Sequence, residues 1–167
     1  VYSALDTRLG RTVAIKVLAP QRADWTAPRR FVREARALAA VRDEHVIEVH
    51  AVHDEGLPFM VMNYVAGSSL QERLDREGQL DLAETLRIGL AGATGLAAAH
   101  AQGLVHRDVK PGNILVEEVT GKVKLTDFGL ARAVDDASLT HAGEVAGTPP
   151  YMAPEQARGS AVDHRAD

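Results

Sequence analysis

Residues 106–113 read His106-Arg107-Asp108-Val109-Lys110-Pro111-Gly112-Asn113, near the middle of a chain of 167 residues. The stretch brings a carboxylate, an ammonium group and an amide close together in sequence. A carboxylate can accept a hydroxyl proton, a lysine can neutralise developing negative charge, and an amide oxygen is a ligand that Mg²⁺ accepts. An aspartate considered alone is more often a turn or capping residue, so this interpretation depends on the rest of the chain.

Three further motifs accompany this stretch in a fixed order. They are Val13-Ala14-Ile15-Lys16 upstream, Asp127-Phe128-Gly129 downstream, and finally Gly147-Thr148-Pro149-Pro150-Tyr151-Met152-Ala153-Pro154-Glu155. Together the four motifs resemble the signature of the protein kinase family. The resemblance covers essentially the whole chain, and four motifs in this order are far more specific than the His-Arg-Asp tripeptide alone.

The resemblance implies an α+β, two-lobe protein-kinase-like fold, truncated at both ends. Residues 1–65 would form an N-terminal lobe of antiparallel sheet plus one helix, and residues 66–167 part of a helical C-terminal lobe. The latter would contain the catalytic loop (106–113) and the activation segment (127–155). The glycine-rich loop of the family would lie before Val1, and further helices would follow Asp167. We therefore expect this chain alone to be weakly active or inactive, with part of its helical apolar face uncovered.

The composition is that of a globular protein. Apolar residues make up 46% and charged residues 25%, and 19 Lys plus Arg against 23 Asp plus Glu give a net charge of −4. A mildly acidic chain argues against broad nucleic-acid binding, and the lack of cysteine excludes disulfides and thiolate chemistry. The longest uncharged stretch, 88–105, is interrupted by glycines and by His100, so a buried helix is favoured over a membrane span.

The hydrophobic periodicity predicts the order of the elements. Strands are expected at 1–5, 12–18, 46–52 and 59–65, helices at 26–42, 70–76 and 82–101, and a hairpin at 114–116 and 122–126. Residues 127–151 lose periodicity, and a loop of this length is usually functional. Lys16 falls on a strand that is apolar on both faces, and Glu34 falls on the apolar arc of its helix. Each of these two side chains therefore needs a partner.

The resemblance gives these polar residues roles in phosphoryl transfer. Asp108 would accept or orient the hydroxyl proton, Lys110 would neutralise the γ-phosphate, and Asn113 and Asp127 would bind Mg²⁺. Lys16 would contact the α- and β-phosphates of ATP, and Glu34 would pair with Lys16. The alternative is that Lys16 extends to water and that Glu34 lies on the helix rim.

Residues 59–67 resemble the strand and linker between the two kinase lobes. Adenine would form hydrogen bonds with the backbone of Asn63 and Val65, Met62 would lie at the back of the pocket, Ala14 would pack above the ring, and Ser69 would lie near the ribose. A core strand followed by a glycine turn is the alternative interpretation of this segment.

The expected activity is transfer of the γ-phosphate of Mg-ATP to serine or threonine hydroxyls of proteins. Lys110, two residues after Asp108, resembles Ser/Thr rather than Tyr kinases, and Thr148 would bridge Asp108 and Lys110. Residues 152–159 are similar to bacterial members of the family. The domain would face the cytosol, with any membrane anchor outside this chain. Two alternatives stay open: a pseudokinase-like binding scaffold, and a small-molecule phosphotransferase of the kinase-like superfamily.

The long loop would carry regulation. Thr140 is the best candidate for phosphorylation, followed by Ser138. In the family, such a phosphate is held by arginines next to the catalytic aspartate, after the Asp-Phe-Gly motif and on the helix, which here are Arg107, Arg132 and Arg30. The alternative is that Thr140 is an ordinary loop hydroxyl.

Overall fold

The computed structural model describes residues 1–18, 27–128 and 149–167. Several of the predicted regulatory residues lie outside these ranges: Arg132, Ser138, Thr140 and Thr148. The predicted catalytic residues Lys16, Glu34, Asp108 and Lys110 all lie within the described ranges.

A four-stranded antiparallel sheet forms from β1 (Tyr2–Asp6), β2 (Arg11–Val17), β3 (Val49–His53) and β4 (Phe59–Asn63), in the order β1-β2-β4-β3. The two strands predicted at the start of the chain are confirmed, and they pair as an antiparallel hairpin. Its turn closes where the Gly10 N–H donates to Asp6 O at 2.8 Å. Gly10 has a φ of 62°, a left-handed conformation that glycine adopts at little cost.

Helix α1 (Ala27–Ala40) packs on this sheet through one face. Phe31, Ala35 and Leu38 are almost fully buried there, as the helical spacing predicted. The side chain of Glu34 lies toward the same side and is 16% exposed. Helix α1 therefore has an acidic side chain on the face that packs on the sheet.

The segment before β3 differs from the sequence prediction. A strand was expected at 46–52, but β3 begins only at Val49. Val46 instead forms a parallel bridge with Leu125, and the Ile47 N–H donates to Leu125 O at 2.9 Å. Both Val46 and Ile47 are buried, and this pairing ties the first sheet to the second half of the chain.

A second antiparallel sheet consists of β5 (Gly67–Ser69), β6 (Ile114–Glu117) and β7 (Val123–Leu125). The predicted hairpin of β6 and β7 is confirmed, whereas β5 was not predicted. A Cβ atom at Gly67 would lie 2.0 Å from Val116 O. Glycine at position 67 therefore allows the chain to pair closely with β6 directly after the first sheet.

Helices α2 (Leu70–Glu77), α3 (Leu82–Ala101) and the short α4 (Pro154–Ala157) complete the described structure, with 3-10 turns at Pro111–Asn113, Pro149–Tyr151 and His164–Ala166. Among the helices of the described ranges, none is both long and apolar enough to cross a bilayer. Helix α3 packs on the second sheet through Ile88 and Ala91, and its Ala99 is buried in the core cluster of the first sheet and α1. It exposes Leu82, Leu86 and Leu90 on its opposite side.

An ion-pair network joins α2, α3 and the β6–β7 turn. Glu84 Oε1 lies 2.6 Å from Arg73 Nη1, and Glu84 Oε2 lies 2.7 Å from Arg87 Nε. Arg87 Nη1 also donates to Gly121 O at 2.7 Å. Hydrogen bonds from Arg87 and Arg73 lower the pKa of Glu84 to about 2, so this carboxylate stays ionised at physiological pH and holds the turn against the two helices.

Candidate active site

The loop between α3 and β6 places two polar side chains, those of Lys110 and Asn113, around the Asp108 carboxylate. Lys110 Nζ lies 2.7 Å from Asp108 Oδ2, and Asn113 Nδ2 donates to the same oxygen at 2.9 Å. Asn113 Nδ2 also donates to the Asp108 carbonyl at 2.7 Å. The Asp108 and Lys110 side chains remain about one quarter exposed, so this group faces an accessible surface.

A second pair forms between the first sheet and the end of β7. Lys16, on β2, places Nζ 2.9 Å from Asp127 Oδ1. Asp127 follows β7 with a φ of 61°, a left-handed conformation that is uncommon for residues other than glycine. The two side chains come from positions more than one hundred residues apart, and the pairing of residues 45–47 with β7 helps to bring them together.

Backbone contacts of Thr126 join the two groups. The Thr126 N–H donates to Asn113 O at 3.0 Å, and Thr126 O lies 2.9 Å from His106 Nε2. His106 Nδ1 accepts the Asp108 N–H at 3.3 Å. Asp108, Asn113 and Asp127 therefore belong to one connected arrangement rather than to separate surfaces.

His106 is the buried centre of this arrangement. Its side chain has no exposed area, and its ring centroid lies 4.4 Å from that of Phe128. Burial lowers the pKa of His106, because the charged form is costly to desolvate. The neutral ring must then carry its proton on Nε2 in order to donate to Thr126 O while Nδ1 accepts from Asp108.

We expect acid to destabilise the fold through His106. Because its folded-state pKa lies below the ordinary 6.5, the unfolded chain binds the extra proton first. Stability is therefore fully present above pH 6.5 and is lost as the pH falls toward the folded-state pKa, by about 1 kcal/mol per pH unit. Urea unfolding at a series of pH values should give a shallower slope for His106→Gln than for the wild type. Equal slopes would contradict this assignment.

Asp167 holds the backbone at the start of the 106–113 loop. Its side chain has no exposed area and accepts three hydrogen bonds. The donors are the His106 N–H at 2.7 Å, the Arg107 N–H at 2.6 Å and His100 Nε2 at 2.8 Å. Arg107 has a φ of 67°, and such a conformation costs about 1 kcal/mol or more. The Asp167 carboxylate opposes that cost.

The expected ion pair between Lys16 and Glu34 is not formed in this structure. Lys16 instead contacts Asp127, while Glu34 Oε1 lies 4.0 Å from Arg33 Nη2. Glu34 also lines a cavity of about 260 Å³ together with Arg107 and Phe128. The inward position of Glu34 agrees with the helical spacing, but the partner that was assigned to it is wrong for this conformation.

The structure places the predicted nucleotide-contacting residues along β4 and its continuation. Ala14 on β2 lies opposite Met62 on β4, and both are buried. The Asn63 N–H donates to Glu48 O. A ligand would therefore have to bond to other backbone groups of this segment. Val65 lies after the end of β4, since the strand stops at Asn63 rather than continuing to position 65 as expected.

Ser69 is engaged in a helix cap. Its hydroxyl accepts the Glu72 N–H at 3.2 Å and donates to Glu72 Oε2 at 2.9 Å. The Ser69 N–H also donates to Glu72 Oε2 at 2.8 Å, and these reciprocal bonds form a capping box at the start of α2. The hydroxyl proton is therefore already used, so the role of Ser69 near a ribose stays a prediction.

A family model described as the protein kinase domain matches residues 1–167. This chain belongs to the protein kinase family. The kinase chain is 42% identical over 172 residues to the probable serine/threonine-protein kinase pknA2 of Bifidobacterium longum (strain NCC 2705), in a match that covers all of this chain and 23% of that relative. The chain spans between 23% and 42% of the length of the curated relatives it matches.

Solved kinase domains share the fold. The crystal structure of the Mycobacterium tuberculosis PknI kinase domain is similar with a TM-score of 0.78 and 35% identity, over 99% of this chain and 62% of that one. The structure of Rad53 residues 1–466 with AMP-PNP is similar with a TM-score of 0.74 and 28% identity, over 94% of this chain and 38% of that one. The α+β kinase fold is confirmed, and this chain contains part of it.

Sequence reasoning missed two residues of this kinase site. His106 was given no role beyond its place in the motif, although its ring forms hydrogen bonds with Thr126 O and with the Asp108 N–H. Gln156 was noted only as part of residues 152–159 and was given no role, yet it is buried and its Nε2 donates to Arg107 O at 2.8 Å. Its place near the start of a short helix is a signal for capping, but the contact with a distant loop has no sequence signature.

Proposed function

We propose that the protein is a serine/threonine protein kinase that uses Mg-ATP. The observation that carries this proposal is the connected arrangement of Asp108, Lys110 and Asn113 with the Lys16–Asp127 pair. Phosphoryl transfer requires cations at the phosphates, oxygen ligands for a metal, and a group that orients the attacking hydroxyl. These groups converge here from both parts of the chain.

Each side chain has a defined task in this proposal. Lys16 binds the α- and β-phosphates, and Lys110 binds the γ-phosphate and stabilises the charge that develops on it. The hydroxyl oxygen of the substrate forms a bond to the γ-phosphorus while the bond to the β–γ bridging oxygen breaks, so that ADP leaves. Asp108 orients the hydroxyl and accepts its proton.

The described residues offer a donor set that fits Mg²⁺. No group of three or more His, Cys, Asp or Glu side chains that could hold a metal occurs among them. The Asn113 amide nitrogen is directed at Asp108, which leaves the amide oxygen as a ligand, and Asp127 has a second carboxylate oxygen beyond the one at Lys16. Mg²⁺ typically takes one or two protein oxygens plus phosphates and water. It would neutralise phosphate charge and orient the triphosphate.

Similarity to known proteins and the sequence itself support ATP and protein serine or threonine hydroxyls as the proposed substrates. The relative pknA2 is named a serine/threonine-protein kinase, and the Rad53 structure contains the ATP analogue AMP-PNP. Lys110 follows Asp108 at the spacing that resembles Ser/Thr kinases. Since ATP is a cytosolic metabolite, we also propose that this domain faces the cytosol.

Phosphotransfer from radiolabelled ATP to a basic protein substrate tests the proposal, with the complete polypeptide that contains this chain. We expect Mg²⁺-dependent labelling of serine and threonine, and loss of labelling in Lys16→Met. A protein that binds partners but neither binds ATP nor transfers phosphate would favour the scaffold alternative. Labelling of a small molecule without labelling of any protein would favour the small-molecule phosphotransferase.

A further inference from the structure

Gln156 is a buried polar side chain to which the proposed reaction gives no task. It lies in α4 and is 9% exposed. Its Nε2 donates to Arg107 O at 2.8 Å, and its Oε1 accepts the Ala153 N–H at 3.0 Å. The oxygen and the nitrogen of one side-chain amide are therefore bonded to backbone groups of two segments, the start of α4 and the 106–113 loop, which are far apart in sequence.

The Arg107 carbonyl belongs to the peptide bond that joins Arg107 to Asp108. Arg107 has the uncommon φ of 67°, which surrounding contacts must hold in place. Asp167 holds the N–H of this residue at 2.6 Å, and Gln156 holds its carbonyl. The residue that precedes the catalytic carboxylate is thus fixed on both sides by side chains from the last part of the chain.

We propose that Gln156 is a positioning residue for Asp108. By holding the Arg107–Asp108 peptide, it fixes the direction in which the Asp108 side chain leaves the backbone and couples α4 to the catalytic loop. Catalysis is sensitive to displacements of this kind, because proton transfer requires the acceptor within hydrogen-bond reach of the substrate hydroxyl. This inference rests on the proposed phosphotransfer activity.

The competing explanation is that Gln156 only caps α4. A glutamine at the third helical position commonly accepts the N–H that precedes the helix, and glutamate does so equally well. An ionised glutamate, however, has no donor for Arg107 O. Replacement by glutamate therefore keeps the cap and removes the contact with the catalytic loop, while protonation of that carboxyl restores a donor.

The experiment compares Gln156→Met and Gln156→Glu with the wild type in the complete polypeptide. The matched control is Ala157→Glu, which adds a carboxylate at the exposed neighbouring position. We expect the Met variant to lose kcat about tenfold with an unchanged KM for ATP. The activity of the Glu variant, relative to the wild type at each pH, should rise as the pH falls, whereas the control should show no such trend.

Wild-type kcat in the Met variant, or a relative activity of the Glu variant that does not change with pH, would overturn the proposal. If the wild-type protein transfers no phosphate, the proposed function fails instead. In that case, amide hydrogen exchange still tests the positioning of the loop. Residues 106–108 should exchange faster in Gln156→Met than in Ala157→Glu, and equal rates would overturn the inference.

Discussion

We expect Asp108→Asn to lower kcat by about two to four orders of magnitude while leaving ATP binding nearly unchanged. An amide cannot accept the hydroxyl proton, and it removes the negative charge that lies 2.7 Å from Lys110 Nζ. The hydrogen bond between Lys16 and Asp127, whose side chains would face the phosphates, does not involve the Asp108 side chain and should be preserved. The measurement is steady-state phosphotransfer together with the dissociation constant for ATP.

A matched control for this change is Asp75→Asn on α2. Asp75 is exposed and accepts a hydrogen bond from Gln71 at 2.8 Å, so its replacement should leave kcat within experimental error. Wild-type kcat in Asp108→Asn would contradict the assignment of the proton acceptor. Equal losses of kcat and of ATP affinity would mean instead that the carboxylate supports the binding of the nucleotide.

The position of Glu34 shows how far local sequence patterns reach. Helical spacing placed Glu34 on the inner face of α1, and the structure agrees, with 16% of the side chain exposed. The spacing does not fix where α1 lies relative to β2, because that depends on packing between distant elements. The partner of Lys16 was therefore assigned from the family resemblance, and in this conformation it is Asp127 instead.

Short strands were the least predictable part of the fold. Residues 67–69 carry no alternating apolar pattern, yet they form β5 because Gly67 lets the chain approach β6. Residues 46–48 were predicted to be the start of β3, but Val46 and Ile47 pair with Leu125. In both cases the local structure depends on pairing with a segment that is distant in sequence. Such pairing leaves little trace in local periodicity.

The residues of the candidate site were predicted from motifs that are specific, whereas no motif indicated the residues that support them. Asp108, Asn113 and Asp127 belong to motifs whose order and spacing indicate one site. The contacts of His106 and Gln156 are hydrogen bonds between a side chain and the backbone of another segment. Any polar residue of suitable length can make such a bond, so only the folded arrangement identifies the one that does.

We expect Asp167→Ala to produce the largest loss of stability. The change leaves the His106 N–H, the Arg107 N–H and His100 Nε2 without the carboxylate that accepts them in the structure. A buried donor that loses its acceptor costs about 1 kcal/mol or more, so the free energy of unfolding should fall by about 3 kcal/mol. Urea unfolding measures this change, and Asp163→Ala, which removes an exposed carboxylate bonded to Arg165, is the matched control.

The same substitution should affect catalysis separately from folding. Without Asp167, Arg107 loses one of the contacts that hold its left-handed conformation, and the Asp108 side chain would then be directed by a less firmly fixed backbone. Asp167→Asn keeps the shape and one acceptor oxygen, so it should fold better than the alanine variant and still lose kcat about tenfold. An asparagine variant with wild-type kcat would contradict this reasoning, because it would show that the catalytic loop holds its conformation without the carboxylate.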